Sequence, residues 1–385
     1  MNEKRIYLSP PDLTGKESRY LGEALQSNWI APIGPHLEQF EQKIADYTGF
    51  EYALAVNSGT SAIHLSLLAL GVQKDDLVIS STLTFCGAVN PILYIGAQPI
   101  LVDSSFDDWN IDLALLEEAI ASAPQKPKAI LATHLFGMPV DFIALSKISK
   151  QYDIPVIHDL AEAIGCSDQH QKPGALTDSG ILSFNGNKLI TTSSGGAFLT
   201  NDLKQYQKAK LLATQAKSHG TSYNHVELGY NYKMSNVLAG LGLGQLTAMK
   251  EKIQAKRKIF ERYKKAFSRL EGVEFQKERP GAFSDRWLSA VFFDPIFFSD
   301  SPVPTLIANL AEANIESRHI WKPMHLQPLY ADAPVIGGGV SQSLFENGIC
   351  LPSGTSLSEE DQDRVIEIVI NDLRASQGSM NGQKK

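Results

Sequence analysis

A single lysine, Lys188, stands in the stretch SFNGNKLITTSSGGAF, residues 183–198, surrounded by asparagine, glycine, serine and threonine. No acid lies closer to it in sequence than Asp178 or Asp202. An opposite charge favours the charged form of an amine, so such surroundings suit a lysine that must become neutral to condense with an aldehyde. Upstream, Asp159 ends the apolar run IPVIHD and precedes the small residues of LAEAIG. A carboxylate there can reach a ligand at a sheet edge, or it can cap a helix, as Asp often does. Asp159 and Lys188 on neighbouring strand ends point to pyridoxal 5'-phosphate. The lysine would hold the cofactor as a Schiff base, and the carboxylate would keep the pyridine nitrogen protonated so that the ring can accept electrons.

A phosphate needs a nest of donors. The stretch NSGTSAIHL offers Gly59, Thr60 and Ser61 at the start of a helix, where free N–H groups and the helix dipole favour an anion. A plain Ser/Thr helix cap is the other reading of the same residues. Ser183 and Asn185 add polar groups just before Lys188, and Phe85, after SSTLT, could stack on the cofactor ring or belong to the core.

These residues need a scaffold, and the pattern supplies one. Short apolar runs at 52–56, 76–81, 99–103, 128–135 and 154–159 alternate with helical patterns at 60–71, 84–96, 112–123 and 141–152. Such alternation predicts βα units and a mainly parallel, buried sheet, with ligands beyond the carboxyl ends of its strands. Residues 237–272 read as one long helix, apolar and then basic, with the basic half a solvated face. We place a lobe boundary inside it: a large domain over 1–245 and a smaller C-terminal α+β domain over 246–385. Ser358 caps a last helix over 358–376, and 376–385 is expected to be a disordered tail.

The chain has 385 residues, 43% hydrophobic and 20% charged, with a net charge of −7, which fits a globular protein of about two lobes. Its acidic balance lacks the basic footprint of a nucleic-acid binder. No run of about 18 apolar residues suggests a membrane span, and the first residues lack the apolar core of a signal peptide. Cys86, Cys166 and Cys350, widely spaced, suit free thiols in a reducing cytosol, and no Cys/His pair has metal-ligand spacing.

The segments NSGTSAIHLSLLALGV, TFCGAVNPILYIGAQPILVD, HDLAEAIG, SFNGNKLITTSSGGAFLTND and LGYNYKMSNVLAGLGLGQL resemble the DegT/DnrJ/EryC1/StrS family of nucleotide-sugar aminotransferases over nearly the whole chain. Further segments, LSPPDLTGKE, SNWIAPIG, TQAK, SDRWLSA, IESRHIWKPMH and GICLPSGT, resemble the subgroup of the UDP-N-acetylbacillosamine pathway. The resemblance implies a fold-type I enzyme dependent on pyridoxal 5'-phosphate, a cytoplasmic homodimer with both active sites at the interface. It implies Lys188 as the Schiff-base lysine, Asp159 at the pyridine nitrogen and Glu162 near the ring's 3'-oxygen. Phe85 would stack on the ring, Gly59, Thr60 and Ser183 would touch the phosphate or the ring's side, and Asn231 would reach the phosphate of the other subunit. Asn28, Trp29, Ile30 and Ala31, and Arg318, His319, Trp321, Lys322 and His325, match segments that hold the sugar nucleotide. Arg318 and Lys322 could equally be ordinary surface charge, and Trp29 an interface aromatic.

The implied reaction passes an amino group from L-glutamate, which leaves as 2-oxoglutarate, to C4 of UDP-2-acetamido-2,6-dideoxy-hexos-4-ulose. The product would be UDP-4-amino-4,6-dideoxy-N-acetyl-glucosamine. A perosamine-type enzyme using a GDP-sugar and a non-catalytic regulator of the same fold are the alternatives. The chain departs from the family's usual Glu-Asp-Ala-Ala, having His158-Asp159-Leu160-Ala161, which leaves local packing and the cofactor's titration open. Lys188, where some members of the fold carry histidine and become dehydratases, argues for transamination.

Overall fold

The computed structural model describes residues 4–217, 222–298 and 300–383, with side chains described as far as 375. After helices α1 (Glu17–Gln26) and α2 (Pro35–Thr48), strand and helix alternate. The series is β1 (Tyr52–Val56), α3 (Gly59–Ala69), β2 (Leu77–Ser81), α4 (Cys86–Ile95), β3 (Gln98–Val102), α5 (Leu113–Ser122), β4 (Ala129–Thr133), α6 (Phe142–Tyr152) and β5 (Val156–Asp159). Then come β6 (Ser167–Asp168), β7 (Ser179–Ser183), β8 (Gly196–Thr200) and α7 (Leu203–Ala213). Strands β2 and β4 are buried along their whole length, as apolar runs covered on both faces must be. Ser58, Asp112, Asp141 and Asp202 each accept a first-turn N–H, which sets where α3, α5, α6 and α7 begin.

The chain continues through α8 (Asn236–Leu246), α9 (Met249–Phe267), β9 (Val273–Phe275), β10 (Ala282–Phe283), β11 (Ser289–Phe293), α10 (Val303–Glu312), β12 (Arg318–His319), β13 (Val335–Ile336), α11 (Gly339–Glu346), β14 (Gly348–Leu351) and α12 (Glu359–Gln383). The large sheet has the order β1-β8-β7-β5-β4-β2-β3-β13. From β7 to β13 it is parallel, while β8 runs antiparallel to both β7 and β1. Residues of α3, α4 and α7 fill one face; those of α2, α5, α6 and α8 fill the other. A second sheet, β12-β14-β11-β9, is antiparallel and packs on α9, α10 and α12. The α/β fold with a smaller α+β portion is therefore the expected one.

Several details differ from the sequence reading. The single helix over 237–272 is two, α8 and α9, broken at Thr247 and Ala248. Ser358 does act as a cap, its Oγ accepting the Asp361 N–H at 3.0 Å, but the last helix runs on to Gln383, into the stretch expected to be a tail. A division near residue 245 stays our proposal for the lobes, and elements cross it: β10 pairs antiparallel with β6. Ile6 packs in the C-terminal core and bridges Ile315, whereas β13 joins the large sheet beside β3. The basic half of α9 is not wholly solvated: Lys252 and Lys256 are buried, while Lys258 and Arg262 pair with Glu359 at the surface.

The departure at residue 158 has a packing answer. The rings of His158 and His134 lie buried side by side, each 4.8 Å from the Phe142 ring. The Val140 N–H donates to His134 Nδ1 at 3.1 Å, so the His134 proton sits on Nε2 and is donated to His158 Nδ1 at 2.9 Å. Burial pushes His158 down to about 3 and His134 well below its ordinary value. Both rings are neutral in the fold, whereas the unfolded chain protonates them below about pH 6.5. Their stabilisation is thus complete above that pH and lost as pH falls toward the folded values. Each histidine contributes a slope of about 1.4 kcal/mol per pH unit in that window. Denaturant unfolding of His158→Phe should show a slope lower by about that amount; an unchanged slope would mean that His158 titrates freely in the folded protein.

Candidate active site

Parallel pairing puts Thr133 of β4, Asp159 of β5 and Ile181 of β7 side by side at the carboxyl edge of the sheet. Beyond this edge lies a cleft lined by Gly59, Thr60, Phe85, Asp159, Glu162, Ser183, Asn185, Lys188 and Trp321. All nine are among the candidates expected from the sequence. The floor is the buried carboxylate of Asp159, only 4% exposed. Its Oδ1 accepts the Ala161 N–H at 3.0 Å, a local turn and not a helix cap, because no helix follows β5 directly. Burial raises its pKa to about 6; the Ala161 N–H opposes that, Glu162 adds to it and Lys188 subtracts.

Lys188 is not isolated from acids, which corrects the sequence expectation. Glu162, on the turn after β5, folds back so that its Oε1 lies 3.6 Å from Lys188 Nζ. The same carboxylate accepts the Phe136 N–H at 2.9 Å through Oε2 and the Trp321 indole N–H at 3.3 Å through Oε1. On another side the amine lies 3.9 Å from the centre of the Trp287 ring. A carboxylate and an aromatic face both attract an ammonium group. The site is thus built to receive the amine's positive charge as well as its neutral form.

The start of α3 sits on the sheet edge because β8 has glycine there: a Cβ on Gly196 would meet the backbone of Ser58 and Gly59 at 2.5 Å. The first N–H groups of α3 have no acceptor inside the helix. Ser61 does not share in this. Its N–H goes to Ser58 Oγ at 3.0 Å and its hydroxyl to Asn57 Oδ1 at 2.7 Å, so it closes the cap from within. Ser58 lines the cleft in its stead. Phe85 is 57% exposed over the cleft, its ring 6.0 Å from that of Trp321.

The remaining expected residues are elsewhere on this chain. Arg318 is exposed, with Nη2 3.0 Å from Glu316 Oε1, and His319 Nδ1 lies 3.1 Å from the Phe345 carbonyl. His325 Nδ1 is 2.7 Å from Thr82 Oγ1, and Lys322 is exposed. Asn28, Trp29, Ile30 and Ala31 form an exposed turn whose Trp29 and Ala31 carbonyls accept from Asn236, and Asn231 is exposed beside Asn57. None of these lines the cleft of its own chain. Trp287 also lines the cleft, although its motif SDRW carries no local sign of a site.

The donor set fits pyridoxal 5'-phosphate. Helix-start N–H groups and the hydroxyls of Ser58, Thr60 and Ser183 suit a phosphate, an exposed Phe85 face suits a planar ring, a buried carboxylate suits a protonated ring nitrogen, and an amine suits an aldehyde. Among the described residues no group of His, Cys, Asp and Glu could hold a metal ion, and no helix is long and apolar enough to cross a membrane.

The chain is similar to known aminotransferases over nearly its whole length. Residues 11–370 match the DegT/DnrJ/EryC1/StrS aminotransferase family. The chain is 43% identical over 375 residues to the pyridoxal phosphate-dependent aminotransferase EpsN of Bacillus subtilis strain 168, covering 96% of each chain. It is 37% identical over 357 residues to a GDP-perosamine synthase of Escherichia coli O157:H7, covering 93% of this chain and 95% of that one. Among solved structures, the sugar aminotransferase Spr1654 of Streptococcus pneumoniae in its PLP form superposes with a TM-score of 0.88 at 27% identity, over 97% of this chain and all of that one. The chain belongs to the DegT/DnrJ/EryC1/StrS aminotransferase family, and is a sugar aminotransferase that depends on pyridoxal phosphate.

Proposed function

We propose that the enzyme transfers the amino group of L-glutamate to C4 of UDP-2-acetamido-2,6-dideoxy-hexos-4-ulose, yielding UDP-4-amino-4,6-dideoxy-N-acetyl-glucosamine for a bacterial surface glycan. The observation that carries the transamination is the meeting of Lys188, Asp159 and Glu162 in one cleft. The UDP-sugar rests on the segments that resemble the bacillosamine-pathway subgroup. The perosamine synthase relative favours a GDP-sugar as the second reading.

The bound cofactor supplies an aldehyde to take up the amino group and a ring that accepts electron density. Asp159 holds the ring nitrogen's proton, and the start of α3 with Ser58, Thr60 and Ser183 holds the phosphate. Phe85 orients the ring and excludes water from one face. Lys188 Nζ would take the proton from the substrate carbon bearing the nitrogen and deliver it, from the same face, to the cofactor's C4' across that nitrogen, running the transfer in reverse for the sugar. When Lys188 carries that proton, Glu162 and the Trp287 face stabilise the cation. The exposed Asn28–Ala31 turn and Asn231 would serve a partner's cleft in a cytoplasmic homodimer, with Lys322 and Arg318 as cations for the diphosphate.

Lys188→Ala should lose the cofactor's long-wavelength absorbance band and at least about 10²–10⁴-fold of the rate. In wild type, glutamate should bleach that band and the UDP-4-keto sugar restore it. Restoration by the GDP-4-keto sugar alone would transfer the assignment to the second reading; no bleaching by glutamate would sink the transamination itself. The pH dependence follows from Asp159. With its pKa at about 6, the carboxylate is ionised above that pH and protonated below it, so binding of the cofactor to the cofactor-free protein should weaken as pH falls through 6. Absorbance titration of Asp159→Asn should show weak binding with no such step.

A further inference from the structure

The LSPP segment near the start of the chain, the backbone of SDRW before β11 and the buried Lys256 of α9 have no role in the site so far. They meet behind Lys188. Lys256, on α9, is 2% exposed, and its Nζ donates to Ser9 Oγ at 3.0 Å and to the Trp287 carbonyl at 2.9 Å. Ser9 in turn donates to the Asn187 carbonyl at 3.1 Å, and the Trp287 indole N–H donates to that same oxygen at 2.8 Å. The four groups close a ring of hydrogen bonds. Its one point on the active-site loop is the peptide that joins Asn187 to Lys188.

We propose that Lys256 is a positioning residue for Lys188: it clamps Ser9 and Trp287 together, and these two side chains fix the backbone from which the reacting amine extends. Trp287 acts twice, because its edge holds the Asn187 carbonyl while its face lies 3.9 Å from Lys188 Nζ. The loop needs such an outside anchor. Asn185 and Asn187 are exposed, and the Lys188 N–H donates only within the turn, to the Asn185 carbonyl at 3.0 Å. A buried amine is costly unless its hydrogen-bonding is satisfied, so Lys256 holds Ser9 Oγ and the Trp287 carbonyl firmly as its acceptors. Burial pushes Lys256 down to about 7, with Asp285 opposing and Lys252 adding. In either protonation state the nitrogen keeps the two hydrogens that the ring of bonds requires.

The inference rests on Lys188 as the reacting amine, not on which sugar accepts the nitrogen. Wild type, Lys256→Met, Ser9→Ala and the double variant are compared as holoenzyme and as cofactor-free protein. Single-turnover absorbance with glutamate should show a rate constant about tenfold or more lower in Lys256→Met, with half-saturating glutamate within about twofold of wild type. Ser9→Ala should lose less, and the double variant no more than Lys256→Met alone, since both break one ring. In the cofactor-free protein, limiting pyridoxal followed by borohydride and mass-spectrometric mapping should label Lys188 ahead of surface lysines in wild type only. That labelling needs no sugar and no turnover, so it separates failure of this inference from failure of the functional reading. Unchanged half-reaction rate and labelling beside a lowered melting temperature would overturn the proposal, as would losses that multiply in the double variant. If Lys256→Met does not fold, Ser9→Ala carries both readouts, and wild-type values there overturn it.

Discussion

The arrangement turns on ionisable groups held out of water at the carboxyl edge of a parallel sheet. Asp159, Glu162 and Lys188 together carry charge where solvent cannot stabilise it, so each requires partners placed by the protein. Asp159 has the Ala161 N–H; Glu162 has the Phe136 and Trp321 N–H groups; Lys188 has Glu162 and the Trp287 face. These partners come from both sides of the molecule. Trp287 and Trp321 lie past α9, whereas Phe136 follows β4, and the apolar cluster that joins them contains Phe136, Trp287, Leu288 and Ile320. The apolar packing of this cluster and charge stabilisation in the cleft are therefore one structural feature.

The same constraint explains the residues around Asp159. A histidine precedes it, which would put a further ionisable ring next to the site. The side chains of a strand alternate, so His158 points to the opposite face of β5 and is absorbed by His134 and Phe142. Its neutral state keeps a second charge out of the sheet interior. His158 is thus accommodated by packing on the far face, and the carboxylate at the strand end keeps its setting.

Much of this was legible in the sequence. Strands at β1 to β5 announce themselves as apolar runs because both faces are covered, and the residues after them fall at the ligand edge by the geometry of parallel sheets. Gly59, Thr60, Phe85, Asp159, Ser183 and Lys188 lie on such edges and could be named. The position of Ser61 in a helix start does not reveal whether its N–H is already taken, and here Ser58 Oγ takes it. The break between α8 and α9 was hidden because Thr247 and Ala248 carry no glycine or proline to mark it.

What the sequence by itself determined is local: the period of each element, the caps that start the helices, and the chemistry available at the strand ends. Periodicity and capping act within a few residues, so they survive without knowledge of the fold. What only the tertiary structure decided is company. Lys188 looked free of acids along the chain, yet Glu162 stands 3.6 Å away, because β5 and β7 are neighbours and the turn after β5 folds over their ends. Lys256 looked like one more cation on a wet helix face, yet it is sealed between Ser9 and Trp287. Electrostatic surroundings depend on distances in space and on exclusion of water, and neither quantity is written in the order of residues.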